Sequence, residues 1–174
     1  MHGVMRGAMH WLFVAIVAQA GQSLLPPGGP GAGLGGLDKA APKHLTLSTS
    51  ASPANLTTPG SGASLFLDVT PNPGIHVYAP GAKDYLPIRL TLEPLADLAI
   101  GKTIYPKSET IVFERERVPV FQKPFRLVEQ VTIARTARPG TTMTIRGTVN
   151  YQACDDKVCF IPASAPVTWT LTVR

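Results

Sequence analysis

From about Ala63 to the C-terminus the chain alternates apolar and polar positions with a period of two. Leu65, Leu67 and Val69 share one phase, with Phe66 and Asp68 on the other. Ile88, Leu90 and Leu92 alternate with Arg89, Thr91 and Glu93. Met143, Ile145, Val149 and Tyr151 oppose Thr144, Arg146, Thr148, Asn150 and Gln152, and Val167, Trp169, Leu171 and Val173 oppose Thr168, Thr170 and Thr172. Such alternation puts one face of a strand against a core and the other in water, as in antiparallel sheets. Pro71-Asn72-Pro73-Gly74, Ala79-Pro80-Gly81 and Arg138-Pro139-Gly140 separate the runs with turn chemistry. Seven to nine short strands at this spacing predict an all-β fold, an antiparallel β-sandwich of about 110 residues. One stretch is less regular. Between Phe125 and Ile133, Glu129 falls on the phase of Leu127 and Val131, which a bulge or an exposed edge would explain.

The N-terminal third reads differently. Arg6 and His10 precede a short apolar block, Trp11 to Ala18, and Ala18-Gln19-Ala20 is a small-x-small site. A basic start, a short apolar middle and such an end form a secretory signal peptide over residues 1–20, cleaved after Ala20. The block is shorter than the roughly 20 residues a membrane-spanning helix needs. The run Gly28 to Gly36, bracketed by Pro26, Pro27 and Pro42, can neither bury a face nor hold a ladder. With the Ser- and Pro-rich stretch that follows, residues 21–62 are expected to be a flexible tether, and 63–174 the folded domain. The product is therefore expected in the periplasm or otherwise outside the cytoplasm.

Composition narrows the function classes. The 174 residues carry 16 Lys and Arg against 11 Asp and Glu, a net charge of +5. No basic run exists, since Arg115 and Arg117 are interleaved with Glu114 and Glu116. A nucleic-acid binder clusters its cations along one face or groove, so nucleic acid is not an expected partner. The 17 prolines and 16 glycines argue against a helical bundle.

Two cysteines are too few to staple a small scaffold, but an exported domain permits a disulfide. Cys154 ends one strong strand, and another begins a few residues after Cys159. Four intervening residues suit a turn that folds back and brings the two Cα atoms into disulfide range. A bridge over so short a loop removes only about 2 kcal/mol of chain entropy. Joining the two sheets would brace the fold better, and one end of a sandwich is where loops carry function. Both points favour a pair that opens and closes, although an inert disulfide remains the alternative. Asp155 and Asp156 oppose thiolate formation and Lys157 favours it. A metal site on Cys154, Cys159, His44 and His76 lacks a second close pair, so no metal is expected. His76 is expected as a strand residue packed beside Tyr78.

Tyr151-Gln152-Ala153-Cys154 and Cys159-Phe160-Ile161-Pro162 together resemble the active-site hairpin of the N-terminal periplasmic domain of the DsbD family, membrane thiol:disulfide reductases. Tyr105-Pro106-Lys107-Ser108-Glu109 resembles that domain's cap-loop region, and Gly74-Ile75-His76-Val77-Tyr78 its early aromatic strand. The resemblance covers roughly Ser64 to Val173. It implies an immunoglobulin-like sandwich and a redox pair that relays electrons, with no cofactor. Cys159 matches the cysteine that attacks and forms the mixed disulfide, and Cys154 the resolving one. Phe160 matches an aromatic beside the pair and Tyr78 one on the neighbouring strand. Ile104 and Tyr105 fall where the cap that shields the sulfurs lies.

The implied partners are thioredoxin-fold redox proteins of disulfide isomerisation and cytochrome c maturation. The cysteine spacing is one residue shorter than in the best-known member. Ile104 stands in place of a cap phenylalanine, and Lys102-Thr103 where that member has acidic residues. The 174 residues hold no counterpart of the family's transmembrane or C-terminal thioredoxin-like parts, so a separate membrane electron donor is expected. The rival from another class is a non-catalytic immunoglobulin-like binding or assembly module with a structural disulfide.

Overall fold

The computed structural model describes residues 42–174, except Asn55 and Glu114. Among them there are twelve strands and no helix: β1 (Leu45–Ser52), β2 (Leu56–Thr57), β3 (Gly62–Pro71), β4 (His76–Tyr78), β5 (Arg89–Leu92), β6 (Leu98–Ile104), β7 (Glu109–Phe113), β8 (Glu116–Phe121), β9 (Phe125–Ile133), β10 (Thr142–Tyr151), β11 (Ala153–Cys154) and β12 (Ala163–Val173). They form three four-stranded sheets, ordered β1-β3-β9-β6, β2-β12-β10-β5 and β11-β4-β8-β7. The fold is an immunoglobulin-like β-sandwich. Its main core is filled by the inward phase of the first two sheets. Leu65, Leu67, Val69 and Leu127 come from the first, and Ile145, Val149, Trp169 and Leu171 from the second. Trp169 Nε1–H donates to the carbonyl of Phe66 at 2.9 Å, so the buried indole satisfies its one polar atom across the sandwich.

The turns lie where the punctuation placed them. Gly74 and Gly140 adopt φ of +76° and +85°, a region that costs a residue with a Cβ but not glycine. Gly147, on the buried phase of β10, has a different reason. A Cβ there would meet Leu92 Cδ2 at 2.8 Å and the Thr91 carbonyl at 2.9 Å, so β5 packs directly against bare backbone.

Two expectations are corrected. The tether does not extend to residue 62. Leu45 to Ser52 pair antiparallel with Pro71 to Ser64 of β3, and Leu45 is 3% exposed within the core. The Tyr151 hydroxyl reaches back to this segment, donating to Lys43 O and accepting from Lys43 N, both at 2.8 Å. β2 then runs parallel to the end of β12, and Arg174 N donates to Thr57 O. The segment reads as a linker because β1 is an edge strand whose free face is Ser and Thr. The expected signal peptide and the tether as far as residue 41 lie outside the described residues.

The second correction is to the exposed edge offered for Phe125–Ile133: β9 lies between β3 and β6 with Glu129 buried, and the bulge is what is found, one strand over. The irregularity is in its neighbour, a register shift of β6 between Ile100 and Thr103. There the Thr103 hydroxyl turns inward and donates to the Glu129 carboxylate. A Cβ on Gly101 would stand 2.7 Å from the Gln130 carbonyl, so the bulged strand passes β9 too closely for a side chain.

Candidate functional site

The third sheet exists because the chain leaves β10 at Tyr151 and forms a new short pair. Ala153 and Cys154 of β11 oppose Val77 and His76 of β4. The next four residues fold back on themselves. Asp155 N donates to Val158 O at 3.0 Å, and Phe160 N to Ala153 O at 2.9 Å. The Asp155 carboxylate accepts from the backbone N–H groups of Lys157 (2.7 Å) and Val158 (2.8 Å), fixing the turn from inside. Those bonds, Val158 first, hold its carboxyl below the usual carboxylate range. Cys154 and Cys159 are joined at the mouth of this hairpin, their Cα atoms 4.1 Å apart.

The two cysteines differ in burial. Cys154 is 0% exposed and belongs to a second small core with Tyr78, Val118 and Val120. Cys159 is exposed. The Tyr78 hydroxyl lies 3.2 Å from both sulfurs. In the disulfide neither sulfur carries a proton, so the phenol is the donor. Behind the pair the aromatic rings interlock. Tyr85 stacks on Tyr78 with centroids 4.1 Å apart, and His76 meets Tyr78 edge-on at 5.6 Å. Phe113 touches both His76 and Tyr85.

His76 is 2% exposed, and its Nε2 has no hydrogen-bond partner. Burial pushes its imidazole below the ordinary histidine value, opposed by the nearby carboxylates of Asp156 and Asp155. Exposed apolar side chains lie on either side of Cys159 in the chain: Val158, half exposed, and Ile161, almost fully exposed.

Of the residues singled out from the sequence, Cys154, Cys159 and Tyr78 come together here. Asp156 and Lys157 are exposed at the loop tip. Phe160 turns toward the N-terminal segment, where its ring stacks on His44 at 3.8 Å and its carbonyl accepts from Gln152 Nε2. Ile104 is the last residue of β6, in the first sheet rather than the cysteines' sheet, and Tyr105 follows it outside the strand. Ile104 is half exposed, and Tyr105 packs against the main core, where burial pushes its phenol up. The rings that enclose the buried sulfur's surroundings, Tyr85 and Phe113, do not stand out in the sequence. Tyr85 lies in a loop without periodicity and Phe113 ends a weakly patterned strand. Among the described residues no group of three His, Cys, Asp or Glu side chains is placed to hold a metal ion.

A family model described as the N-terminal part of the thiol:disulfide interchange protein DsbD matches residues 45–169. The match begins at the first residue of β1. No curated protein matches the chain. Among solved structures, the N-terminal periplasmic domain of ScsB from Proteus mirabilis aligns at 11% identity and a TM-score of 0.51, over 75% of this chain and 47% of that one. The chain thus spans about half of that neighbour's length. The reduced DsbD N-terminal domain of Neisseria meningitidis aligns at 16% identity and a TM-score of 0.44, over 67% of this chain and 80% of that one.

Proposed function

Because the chain belongs to the family of the N-terminal domain of the thiol:disulfide interchange protein DsbD, we propose that it relays electrons by thiol–disulfide exchange through Cys154 and Cys159. The observation that carries the reading is the contrast between the two cysteines, Cys159 an exposed residue at the mouth of the hairpin and Cys154 fully buried. In the reduced domain the Cys159 thiolate attacks a partner disulfide, expelling one partner sulfur and forming a mixed disulfide. Cys154 then attacks Cys159 Sγ and releases the second partner sulfur. The partner gains two electrons and the domain is left oxidised. A donated hydrogen bond from Tyr78, 3.2 Å from Cys159 Sγ, favours the thiolate over the thiol. Asp155, whose carboxylate is engaged by two backbone N–H groups, serves the turn.

Partners of this reading are thioredoxin-fold proteins outside the cytoplasm, including those of disulfide isomerisation and cytochrome c maturation. A thioredoxin-fold donor supplies the electrons, and residues 1–20 direct export. The exposed apolar side chains of Val158 and Ile161, on either side of Cys159 in the chain, suit a transient protein contact beside the pair.

Incubating the reduced full chain with an oxidised thioredoxin-fold protein, and the reverse mixture, tests the proposal. Thiol alkylation that adds mass reads both redox states on a gel. Both mixtures are expected to converge on one ratio within minutes. Two mixtures that keep their starting states for hours would refute the relay.

A further inference from the structure

The exchange leaves one proton to be placed. Before Cys154 can attack Cys159 Sγ it must lose its thiol proton, and Cys154 has no surface in contact with water. The residue opposite it in the ladder is His76, its register partner between β11 and β4. Directly opposed residues of an antiparallel pair project from the same face, with Cβ atoms about 5 Å apart. Tyr78, two positions along β4, shares that face and places its hydroxyl 3.2 Å from Cys154 Sγ.

His76 is buried and its Nε2 is unpartnered, an arrangement proteins seldom leave without a use. The groups around it are Tyr78 on its own strand, Phe113 from β7, Cys154 from β11 and the carboxylates of Asp155 and Asp156 in the hairpin loop. Burial keeps the imidazole neutral, with a lone pair to offer, while the two carboxylates favour the imidazolium once formed.

We propose that His76 is the proton acceptor for the buried cysteine in the resolving step. The proposal rests on the exchange reading above. The Cys154 thiol gives its proton to the imidazole, and its sulfur forms the bond to Cys159 Sγ. The bond between Cys159 and the partner breaks, and the partner sulfur leaves as a thiolate with the electron pair. The imidazolium then returns the proton to that thiolate, directly or through solvent, and the imidazole is neutral again. His76 thus serves the second half of the exchange and not the first, because Cys159 reaches water unaided.

The test uses the reduced full chain and one equivalent of the aromatic disulfide 5,5′-dithiobis-(2-nitrobenzoate). It releases one coloured thiolate when Cys159 attacks and a second when Cys154 resolves. His76→Phe keeps a ring against Tyr78 and Phe113, and His76→Gln keeps a polar side chain that does not titrate. In both variants the first release is expected to stay within about twofold of the parent. The second should slow by about tenfold at pH 7, because thiolate formed without a base still supports some turnover.

The pH profile separates this role from packing. In the parent the second release is flat above the imidazole range, whereas in the variants it climbs by about tenfold per pH unit toward the thiol's own titration. A second release unchanged in rate and profile in a folded variant would overturn the proposal. If both variants fail to fold, the parent profile decides: a climb of about tenfold per unit from pH 6 upward overturns it. A parent that releases a single thiolate, or none, would instead sink the exchange reading itself.

Discussion

Cys154→Ala is expected to trap a stable mixed disulfide with a thioredoxin-fold partner through Cys159, and Cys159→Ala is expected to trap none. Thiol–disulfide exchange requires the attacking sulfur to meet its target in line, and a partner disulfide on another protein can reach only an exposed sulfur. Cys159 is exposed, whereas Cys154 is 0% exposed behind Tyr78, Val118 and Val120. With Cys154 present, resolution is intramolecular and enjoys a large effective concentration. Without it, the adduct must wait for a thiol from solution, and its lifetime should lengthen by at least about a thousandfold. Losing the bridge costs about 2 kcal/mol of loop constraint in either variant, so reduced parent protein is the proper stability control. Non-reducing gels and mass spectrometry of the adduct read the result. A stable adduct through Cys154 in Cys159→Ala would reverse the assigned roles.

A fragment of residues 63–174 should lose its cooperative fold, while one of residues 42–174 keeps it. The difference between the two is what β1, β2 and their flanks contribute. Burying Leu45 is worth roughly 1.5–3 kcal/mol. The two Lys43–Tyr151 hydrogen bonds and the Arg174–Thr57 bond add about 1 kcal/mol each. Removal also strips one edge of β3 of its ladder partner and exposes it to other chains. The sum, about 5 kcal/mol, is at least a third of the net stability of a typical domain. Urea unfolding followed by circular dichroism measures it. Equal midpoints for the two fragments would mean that the N-terminal strands are dispensable.

The strands that bury one clean phase are legible in the amino-acid sequence. β3, β5 and β12 have apolar side chains on every second position, β10 does so except at Gly147, and glycine marks the turns between them. β1 is hidden because a strand at the edge of a sheet needs few apolar residues: Leu45 enters the core, and the serines and threonines after it are ordinary linker composition. Glu129 is legible as an anomaly, but its cause lies on another strand. The carboxylate keeps the buried phase of β9 and is accommodated because β6 bulges beside it and supplies Thr103. The cysteine pair stands out because both members lie in one short loop. Its surroundings do not, because His76, Tyr85, Phe113 and Cys154 come from separate elements, and no local pattern records that they meet. The packing of His76 beside Tyr78 is legible on one strand, whereas a place for Tyr78 at the site comes only from the family resemblance, and its bond to the sulfurs depends on the β4–β11 pairing.

On the exchange reading the Cys154–Cys159 bond is made to be opened. Its reduction potential tests this most directly, measured on the full chain equilibrated in graded dithiol and disulfide buffers and read by alkylation. A bond made to be opened should show a value more oxidising than about −300 mV, within reach of exchange with thioredoxin-fold partners. A value below about −300 mV would mark a resistant structural bridge and contradict the claim.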